Sequence, residues 1–500
     1  MNRLRGHERG QVLALAAISL VVVIGFVGLA VDVGMLWTER RHMQTAVDAA
    51  AVAGAVALRE GDNVQNAGTE AATLNSFTNG QNNVTVTINH PPLSGAYAGN
   101  SSYVEAVVNQ SEPTYFLRAL GYRTVNVSTR AVSGTINGPA CMYALDKSKS
   151  AAIGITGNFT ISAACGVIDD SDSSSALSAT GNGTFTATSF GIVGNSSATG
   201  NVTISPHPIP HIAPAPDPLA SKAGPLVGSC TQQSTNKSGG FSVSGNNPVV
   251  TVPPGVYPSG ITVGGNNATV TFSAGTYGNN ITLNGNTGSV TFNPGQYQNT
   301  GTSDSIDIGG NATTVFNAGS YTFCGAVKVT GNNNLTLSPG LYSGGINITG
   351  NANVTFLPGT YILAGGGFSV TGNSTLRGTR VTFYDTTGPA GYAPIDLTGN
   401  ETANLSAPTS GPMEAMLFFQ DRSISGGAGS TITGNSSSTF DGVVYFPTTS
   451  LTFTGNSSSA GYTYLIADTI TLTGNTAMTI GNDTSSLADG SPIKSSALYE

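Results

Sequence analysis

A Gly-Asn pair that recurs along most of the chain is the feature that most restricts its fold. The commonest spacing between successive pairs is 19 to 22 residues. Numbered at the glycine, the pairs stand at Gly157, Gly181, Gly200, Gly245, Gly265, Gly285, Gly310, Gly331, Gly350, Gly372, Gly399, Gly434, Gly455 and Gly474. A unit of about 20 residues cannot bury an apolar face alone, so units of this kind stack on one another.

The residues around each pair predict that the stacked elements are β-strands. An alternating apolar segment precedes most pairs, as in residues 281–283 and 346–348, and a Val-Thr-Phe segment follows several, as at Val290. Alternation turns Ile, Val, Leu and Phe inward while Thr and Asn face outward. We therefore expect a mainly β chain in which residues 136–485 form a parallel β-helix of about 20-residue coils, with the usual right-handed crossover. A β-sandwich or a propeller is the alternative, but its blades need longer periods and hairpin turns.

Three finer features of the coils follow from the repeat. Glycine supplies the tight corners, and the asparagine after it can stack into an amide ladder along the axis. A tyrosine of the Gly-x-Tyr type, such as Tyr277, is expected to stack with its hydroxyl in water. Residues 314–316 break the alternation by one position, which predicts a β-bulge. The predicted ladder comprises Asn266, Asn286, Asn311, Asn332, Asn351, Asn373 and Asn400.

Two segments differ from the coils. Residues 205–226, SPHPIPHIAPAPDPLASKAGPL, contain too many prolines for ladder strands, so we expect an extended strap between early and later coils. The chain after Asp483, and residues 486–500 in particular, is predicted to be a poorly ordered tail.

The four cysteines all lie in the downstream part of the chain, and none belongs to a CxxC pair, so a zinc site is not expected. They are either buried free thiols or members of one or two disulfides, since the segment is predicted to be exported. Cys141 and Cys165 lie about one repeat length apart and are the favoured pair.

Near the N-terminus, residues 12–31 form an uncharged run, VLALAAISLVVVIGFVGLAV, which predicts a transmembrane helix. At 1.5 Å per residue it spans about 30 Å, the thickness of the hydrocarbon layer. Three arginines precede it, so the positive-inside rule makes residues 1–11 a cytoplasmic arm and exports the chain after Asp32. This predicts a single-pass protein of the cytoplasmic (inner) membrane. The alternative is a cleaved signal peptide, although the run is long for one and lacks a small-x-small site at its end.

Residues 32–60 contain no proline and are predicted to continue this helix. Small and apolar side chains recur along it at steps of three and four residues, which places them on one face. Such a stripe lets another backbone approach closely, and the partner is either the protein's own globular domain or a neighbouring subunit. The stripe comprises Met43, Ala46, Val47, Ala50, Ala53, Gly54 and Ala57.

Three motifs mark the N-terminal segment: Arg9-Gly10-Gln11 before the apolar run, GLAVDVG at residues 28–34, and the helix MQTAVDAAA at residues 43–51. With these motifs the segment resembles the TadE/TadG-like family of Flp pilus-assembly proteins. The resemblance implies a bacterial envelope protein associated with tight-adherence pili or secretion. It also implies that residues 61–135, which read as β-β-α-β, form a small α/β pilin-like head packed on the long helix.

Charged residues make up only 9% of the chain, where roughly 25% is typical. Basic residues do not cluster beyond the N-terminus, which argues against a nucleic-acid partner. The five histidines form no cluster with ligand spacing, and no phosphate loop or Ser-His-Asp arrangement is recognisable. We therefore expect no cofactor and no metal.

β-Helices that cleave polysaccharides need paired carboxylates, or Asp-bound calcium with a basic group, on one face. Asp421 and Arg422 in FFQDRS are the most suggestive pair, although a local salt bridge or turn is the favoured interpretation. Residues 169–173 match the D-x-S-x-S metal pattern, but a β-coil follows at once, which favours a polar turn. The remaining candidates are thinly spread: Asp304, Asp307, Arg377, Arg380, Asp385, Asp396, Glu401 and Asp441.

These observations predict a non-enzymatic, membrane-anchored envelope protein of the Tad/Flp pilus-assembly type, whose exported solenoid is a structural spacer or an adhesive surface. The expected partners are the cytoplasmic membrane and components of pilus assembly or secretion. The alternative is a surface glycan-binding or polysaccharide-cleaving β-helix protein. Regularly spaced outward threonines also suggest an ice-binding array, but threonine is the ordinary outward residue of a β-rung.

Overall fold

The structure is a computed structural model that describes residues 8–60, 62–101, 103–137, 140–212, 214–230, 237–299, 304–389, 391–435, 437–455, 457–458 and 461–498. The chain divides into two compact units, residues 1–137 with 494–500, and residues 138–493. The predicted fold class is confirmed, because a long apolar helix is followed by a mainly β chain that forms a parallel β-solenoid. Residues 1–7 of the predicted cytoplasmic arm and Asn456 of the Gly-Asn series lie outside the described residues.

The N-terminal helix, α1, spans Glu8–Glu60 without a break. Its 53 residues correspond to about 80 Å at 1.5 Å per residue. In its first half, large apolar side chains such as Leu13, Val21 and Phe26 are 75, 71 and 69% exposed. An 18-residue window of the helix reaches a mean hydropathy of 2.5. The helix therefore fits a single-pass membrane anchor by length and composition.

The rest of the first unit is a small domain packed on α1. Its elements before the solenoid are α2 Val64–Leu74, β1 Val84–Asn89, β2 Tyr103–Pro113, a 3-10 helix Leu117–Leu120 and β3 Thr124–Asn137. The strands pair antiparallel in the order β1-β2-β3. Helix α2 was not predicted. The helix predicted between the second and third strands is only one 3-10 turn, because β2 continues to Pro113.

The small-residue stripe of α1 packs against this domain. Of the two partners considered for the stripe, the structure therefore shows the protein's own globular domain. Met43 and Ala50 are fully buried in one cluster with strand residues such as Val108. A Cβ atom on Gly54 would lie 2.8 Å from Cγ1 of Val104, so a side chain there would push β2 away from the helix.

The C-terminal end of the chain returns to the same sheet. Strand β39, Lys494–Leu498, pairs antiparallel with β3, from Asn137 opposite Lys494 to Ser133 opposite Leu498. The prediction of a poorly ordered tail is therefore wrong for these residues, because the backbone groups of β39 bond to the free edge of β3. The solenoid is thus inserted between two neighbouring strands of the small domain.

The solenoid has about 14 turns of about 22 residues. Its walls are made of strands that pair in parallel with their equivalents one turn away, as Thr269–Phe272 and Ser289–Phe292 do with Val270 opposite Val290. The first part of the chain contributes β4 Ala140–Ala144, β5 Ile153–Ala163, β6 Gly166–Asp169, β7 Leu177–Thr186, β8 Ser189–Ile192, β9 Ser196–Ser205 and β10 Ile209–Pro210. The next strands are β11 Phe241–Val243, β12 Val249–Val252, β13 Gly255–Val256, β14 Ile261–Val263, β15 Thr269–Phe272, β16 Gly275–Gly278, β17 Ile281–Leu283, β18 Ser289–Phe292, β19 Gly295–Tyr297, β20 Ile306–Ile308, β21 Thr313–Phe316, β22 Tyr321–Phe323, β23 Val327–Val329 and β24 Asn334–Leu337. The last are β25 Gly340–Tyr342, β26 Ile346–Ile348, β27 Asn353–Phe356, β28 Gly359–Ala364, β29 Phe368–Val370, β30 Thr375–Gly378, β31 Val381–Thr386, β32 Ile395–Leu397, β33 Thr402–Ser406, β34 Met416–Gln420, β35 Ser430–Gly434, β36 Thr439–Gly455, β37 Ser457–Ser458 and β38 Thr463–Ile480.

The coils do not stack in the order of the sequence. From β11 onward each coil pairs with the next as far as β38, and β38 then pairs with β4 and β5, the first strands of the solenoid. Ile470 lies opposite Ile153, and Leu472 lies opposite Ile155. The stack continues through β7 to β9. The chain therefore enters and leaves the solenoid at adjacent coils, as an insertion into one sheet requires.

The proline-rich strap makes this order possible. After β10 the described part of the connection, as far as Cys230, runs back along one outer face of the stack in the direction of the coil that contains β11. Its contacts succeed one another down that face, since Ala215 bonds Asp170, and a Cβ atom on Gly228 would lie 3.6 Å from Leu341. Cys230, which is disulfide-bonded to Cys324, lies further along. The prediction that residues 205–226 hold no ladder strand is wrong at Ile209–Pro210, which pair with β8, whereas the residues after them form the predicted strap.

Aromatic columns fill the interior. The rings of Phe272, Phe292 and Phe316 stack with centroids 4.4 and 4.5 Å apart. Tyr277 is fully buried and donates its hydroxyl to the carbonyl oxygen of Ser273 at 2.8 Å, and Tyr297 does the same to Asn293 at 2.7 Å. The prediction of water-exposed tyrosine hydroxyls is therefore wrong, because each hydroxyl closes the turn that precedes its own strand.

The predicted bulge at residues 314–316 is also absent. The register between β18 and β21 is continuous, with Val290 opposite Thr314 and Phe292 opposite Phe316. Thr314 therefore takes an inward position and is fully buried, and Val315 points outward in its place. Register shifts occur elsewhere, for example between Met416 and Phe418.

Candidate functional site

Arg422, the basic member of the pair that the sequence singled out, holds the strap, which is the name we use from here on for residues 211–230. Its guanidinium donates to the carbonyl oxygens of Lys222, at 2.7 Å, and Leu219. It also lies 3.5 Å from Oδ2 of Asp217 and 4.9 Å from the ring centre of Tyr445. The Tyr445 hydroxyl donates to the same Asp217 oxygen at 2.6 Å. These contacts use the planar fork of arginine to fasten the strap to the coils.

Asp421, the acid of that pair, is engaged in a local turn. Its carboxylate accepts from the Thr386 hydroxyl at 2.7 Å and from the Ser423 N–H at 2.9 Å. Burial alone would raise the pKa of Asp421, but these hydrogen bonds outweigh it and the pKa is lowered. Asp421 and Arg422 thus have separate hydrogen-bond partners.

Arg422 and Asp217 belong to a wider contact between strap and coils. The outer side chains of five successive coils form an apolar column, where polar residues would otherwise face solvent. The column comprises Tyr384, Phe419, Tyr445, Ile466 and Tyr143, which are 0 to 5% exposed. A Cβ atom on Gly224 of the strap would lie 2.6 Å from the Tyr384 hydroxyl, so the strap backbone lies directly on this column.

The other acidic and basic candidates are distributed over several coils. Lys328 lies 3.9 and 4.0 Å from Asp304 and Asp307 of the neighbouring coil, in a partly exposed cluster. Asp385 and Glu401 are buried, and burial raises the pKa of both, to about 7 for Glu401. Among the residues that the structure describes, no group of three His, Cys, Asp or Glu side chains could hold a metal ion. Of the remaining candidates, Asp396 accepts from the Thr431 N–H at 3.2 Å and Asp441 from the Gly461 N–H at 2.9 Å, while Arg377 and Arg380 are exposed.

The D-x-S-x-S segment forms a turn whose carboxylates bond to the protein itself. Asp169 is fully buried and accepts from the N–H groups of Ser171 and Ile153 at 3.1 and 3.2 Å. Burial raises the pKa of Asp169 to about 6. Asp170 accepts from Lys147 at 3.3 Å and from the strap at Ala215. The segment therefore joins coil and strap.

Two disulfides lie in the solenoid, and the described residues include no free cysteine. Cys141 is joined to Cys165, with Cα atoms 5.7 Å apart. Cys230 is joined to Cys324, with Cα atoms 5.6 Å apart. The first links adjacent coils, and the second fixes the distal end of the strap to the coil it crosses.

Asparagine side chains form amide-to-amide hydrogen bonds along one corner of the stack. Asn311 bonds Asn286 at 3.3 Å, and Asn351 bonds Asn332 and receives a bond from Asn373, at 3.1 and 3.2 Å. Further bonds of this kind join Asn266 to Asn246 and Asn182 to Asn158 to Asn475. Asn400 bonds through its backbone N–H to the carbonyl oxygen of Gly372. The series of Asn182, Asn158 and Asn475 crosses the junction between the C-terminal coil and the first coils.

The small domain contains two polar sites that the sequence did not reveal. Asp32 of α1 is buried and accepts from the N–H groups of Tyr115, Phe116 and Leu117 at 3.0, 2.8 and 2.6 Å. Separately, Glu105 pairs with Arg130, 2.6 Å from its Nε. Burial alone would raise the pKa of Glu105, but this pairing and hydrogen bonds from Ser94, Asn89 and Leu93 hold it at about 2. Both carboxylates fix loops, and no periodic signal marks them because their partners are distant in sequence.

Comparison with known proteins bears on α1. Residues 10–57 match a family model described as Flp pilus-assembly TadE/G-like. A search of the curated proteins finds no match, and neither does a search of the solved structures. The matched residues cover the apolar half of α1 and the stripe that packs on the small domain. The chain therefore carries a TadE/G-like Flp pilus-assembly domain at residues 10–57, followed by a parallel β-solenoid.

Proposed function

We propose that this protein is a non-enzymatic envelope component of Tad-type pilus assembly or secretion, anchored in the inner membrane by α1 with its N-terminus inside and the solenoid exported. The observation that carries the proposal is the coincidence of the TadE/G-like match with one continuous helix, which is apolar and exposed first and packed on a domain afterwards. The exposed part of the helix beyond the apolar run is the surface on which we expect machinery partners to bind.

In this proposal the solenoid is a spacer or an adhesive surface. This structural role is supported by the contacts of the charged residues that the sequence singled out, since Arg422 and Asp217 hold the strap and Asp421 stabilises a turn. The two disulfides and the amide ladders stiffen the same body. Since the chain enters and leaves it at adjacent coils, the solenoid behaves as a self-contained insert in the small domain.

Photo-crosslinking in the native cell tests the machinery role. A benzophenone amino acid replaces Trp37, which is 64% exposed within the TadE/G-like segment, or Leu93, which is 74% exposed outside it. We expect adducts with pilus-assembly or secretion components, identified by mass spectrometry, at position 37 and none at position 93. Equal or absent labelling at the two positions would contradict the proposal.

The orientation has its own test. A membrane-impermeant thiol reagent added to spheroplasts should label Leu93→Cys without lysis, since the small domain is proposed to lie outside the cytoplasm. Labelling that appears only after lysis would reverse the assigned orientation.

A further inference from the structure

The loop between β2 and β3 exposes an unusual group of large side chains. Tyr115, Phe116, Leu120 and Tyr122 are 63, 47, 65 and 63% exposed, within eight consecutive residues. Exposed aromatic and aliphatic side chains grouped in this way mark a surface that contacts a partner or a membrane. We call residues 113–123 the aromatic loop.

The aromatic loop lies against α1 inside the apolar run. A Cβ atom on Gly28 would collide with the Phe116 ring, and Gly28 is the first buried residue among those of the helix whose burial is described. Gly28 precedes the end of the run at Val31 by three residues, or about 4.5 Å along the axis. The ring of Phe116 therefore lies at the depth of the outer edge of the hydrocarbon layer wherever the run spans a bilayer.

Asp32 fixes the loop at this depth. It is the first charged residue after the apolar run, and its carboxylate accepts the three successive N–H groups at the start of the 3-10 turn, at 2.6 to 3.0 Å. A buried carboxylate next to the hydrocarbon is tolerated because these donors satisfy it. The backbone geometry of the loop is therefore set by the helix that would cross the membrane.

The composition of the loop suits the interfacial layer of phospholipids. Tyrosine and tryptophan concentrate at this layer because one end of the ring is apolar and the other is polar. Arg118 and Arg123 are exposed on the same loop and can pair with headgroup phosphates. Both charge and side-chain type thus point to a lipid surface as the occupant of this face.

We propose that the aromatic loop is a second membrane-contact element, which inserts Phe116, Leu120 and the two tyrosines into the outer interfacial layer of the phospholipid bilayer beside α1. The inference rests on the membrane anchoring in the proposed function. It gives the small domain a fixed height above the membrane, because helix and loop contact the bilayer at two points that Asp32 joins.

Depth-dependent quenching in the full chain tests this inference. Since both native cysteine pairs are disulfide-bonded, a single introduced cysteine can carry a fluorescent NBD label. The protein is reconstituted in nanodiscs of phosphatidylcholine and phosphatidylglycerol, with or without a nitroxide-bearing lipid. The label is placed by Leu120→Cys in the aromatic loop, or by Leu20→Cys in the apolar run as the anchor reporter.

Leu93→Cys is the matched control, because Leu93 is an exposed leucine of the same domain. The Leu93 N–H bonds Glu105, and Val104, next to Glu105, packs on Gly54 of α1. Gly54 lies about 33 Å along α1 from Asp32, the residue that holds the aromatic loop. We expect the label at position 120 to shift to the blue and to lose most of its emission to the nitroxide lipid, as at position 20, while position 93 is unaffected. If position 120 behaves like position 93 while position 20 is quenched, the loop inference fails and the anchor stands. If no position is quenched, the anchor itself is refuted.

Discussion

Replacing Thr314 with valine should stabilise the solenoid by about 1–3 kcal/mol. Thr314 is fully buried, and its hydroxyl has no hydrogen-bond partner among the residues that the structure describes. It lies in an inward column between Val290 and Leu335 of the adjacent coils. Valine has nearly the same shape, so the substitution removes an unsatisfied hydroxyl, whose burial costs about 1–3 kcal/mol, without leaving a cavity.

Equilibrium urea unfolding of the full chain measures the effect, together with hydrogen exchange of the Thr313–Phe316 amides as a local readout. Thr336→Val is the control, since Thr336 is paired with the outward Val315 and is partly exposed. It should change the free energy of unfolding by no more than about 0.5 kcal/mol. A neutral or destabilising Thr314→Val would show that the hydroxyl has a partner, such as a buried water, and would refute the reasoning.

Three further substitutions have defined outcomes. Burial raises the pKa of Glu401 from 4.5 to about 7, so wild-type stability should fall as the pH rises from about 4.5 through 7. The free energy of unfolding of Glu401→Gln should therefore match that of the wild type at pH 4 and exceed it at pH 8 by about 1–2 kcal/mol. This is less than the full pKa shift implies, because the exposed Asn400 beside Glu401 allows solvent screening. Chemical denaturation at the two pH values measures the difference. Arg422→Lys should loosen the strap and speed its limited proteolysis several-fold, since an ammonium cannot replace the guanidinium fork; unchanged cleavage would contradict the clamp. Asp32→Ala should destabilise the small domain by about 2–4 kcal/mol, measured by its thermal unfolding, because three N–H groups lose their shared charged acceptor.

The period of the Gly-Asn pairs and the alternation beside them were sufficient to predict the solenoid, because both are local properties of a chain that buries one face. The apolar run was sufficient for the helix in the same way. The bulge prediction at residues 314–316 failed because alternation was taken as decisive, whereas neighbouring coils kept the register at the cost of burying Thr314. The tyrosine hydroxyls were misplaced because their acceptors are backbone carbonyls four residues earlier in the chain.

Coil order lay beyond sequence reasoning for a different reason. Every coil carries the same motif, so the pairing of the coil at Ile470 with the coil at Ile153 leaves no local signal. The strap contacts made by Arg422 and Asp217 join residues 200 or more positions apart. Pairings at this separation are chosen by the whole fold, and the proline-rich segment indicated only that a long connection exists.

The pairing of the C-terminal coil with the first coil is the central claim, and a double-cysteine cross-link tests it most directly. Thr156 and Thr473 are register partners on adjacent coils although 317 residues separate them in the chain. Oxidation of Thr156→Cys/Thr473→Cys should give the 156–473 disulfide, identified by peptide mass spectrometry, while Thr156→Cys/Thr262→Cys should not cross-link. Failure of the 156–473 pair to cross-link, with the protein folded, would mean that the coils stack in sequence order and would contradict the inserted, strap-closed solenoid.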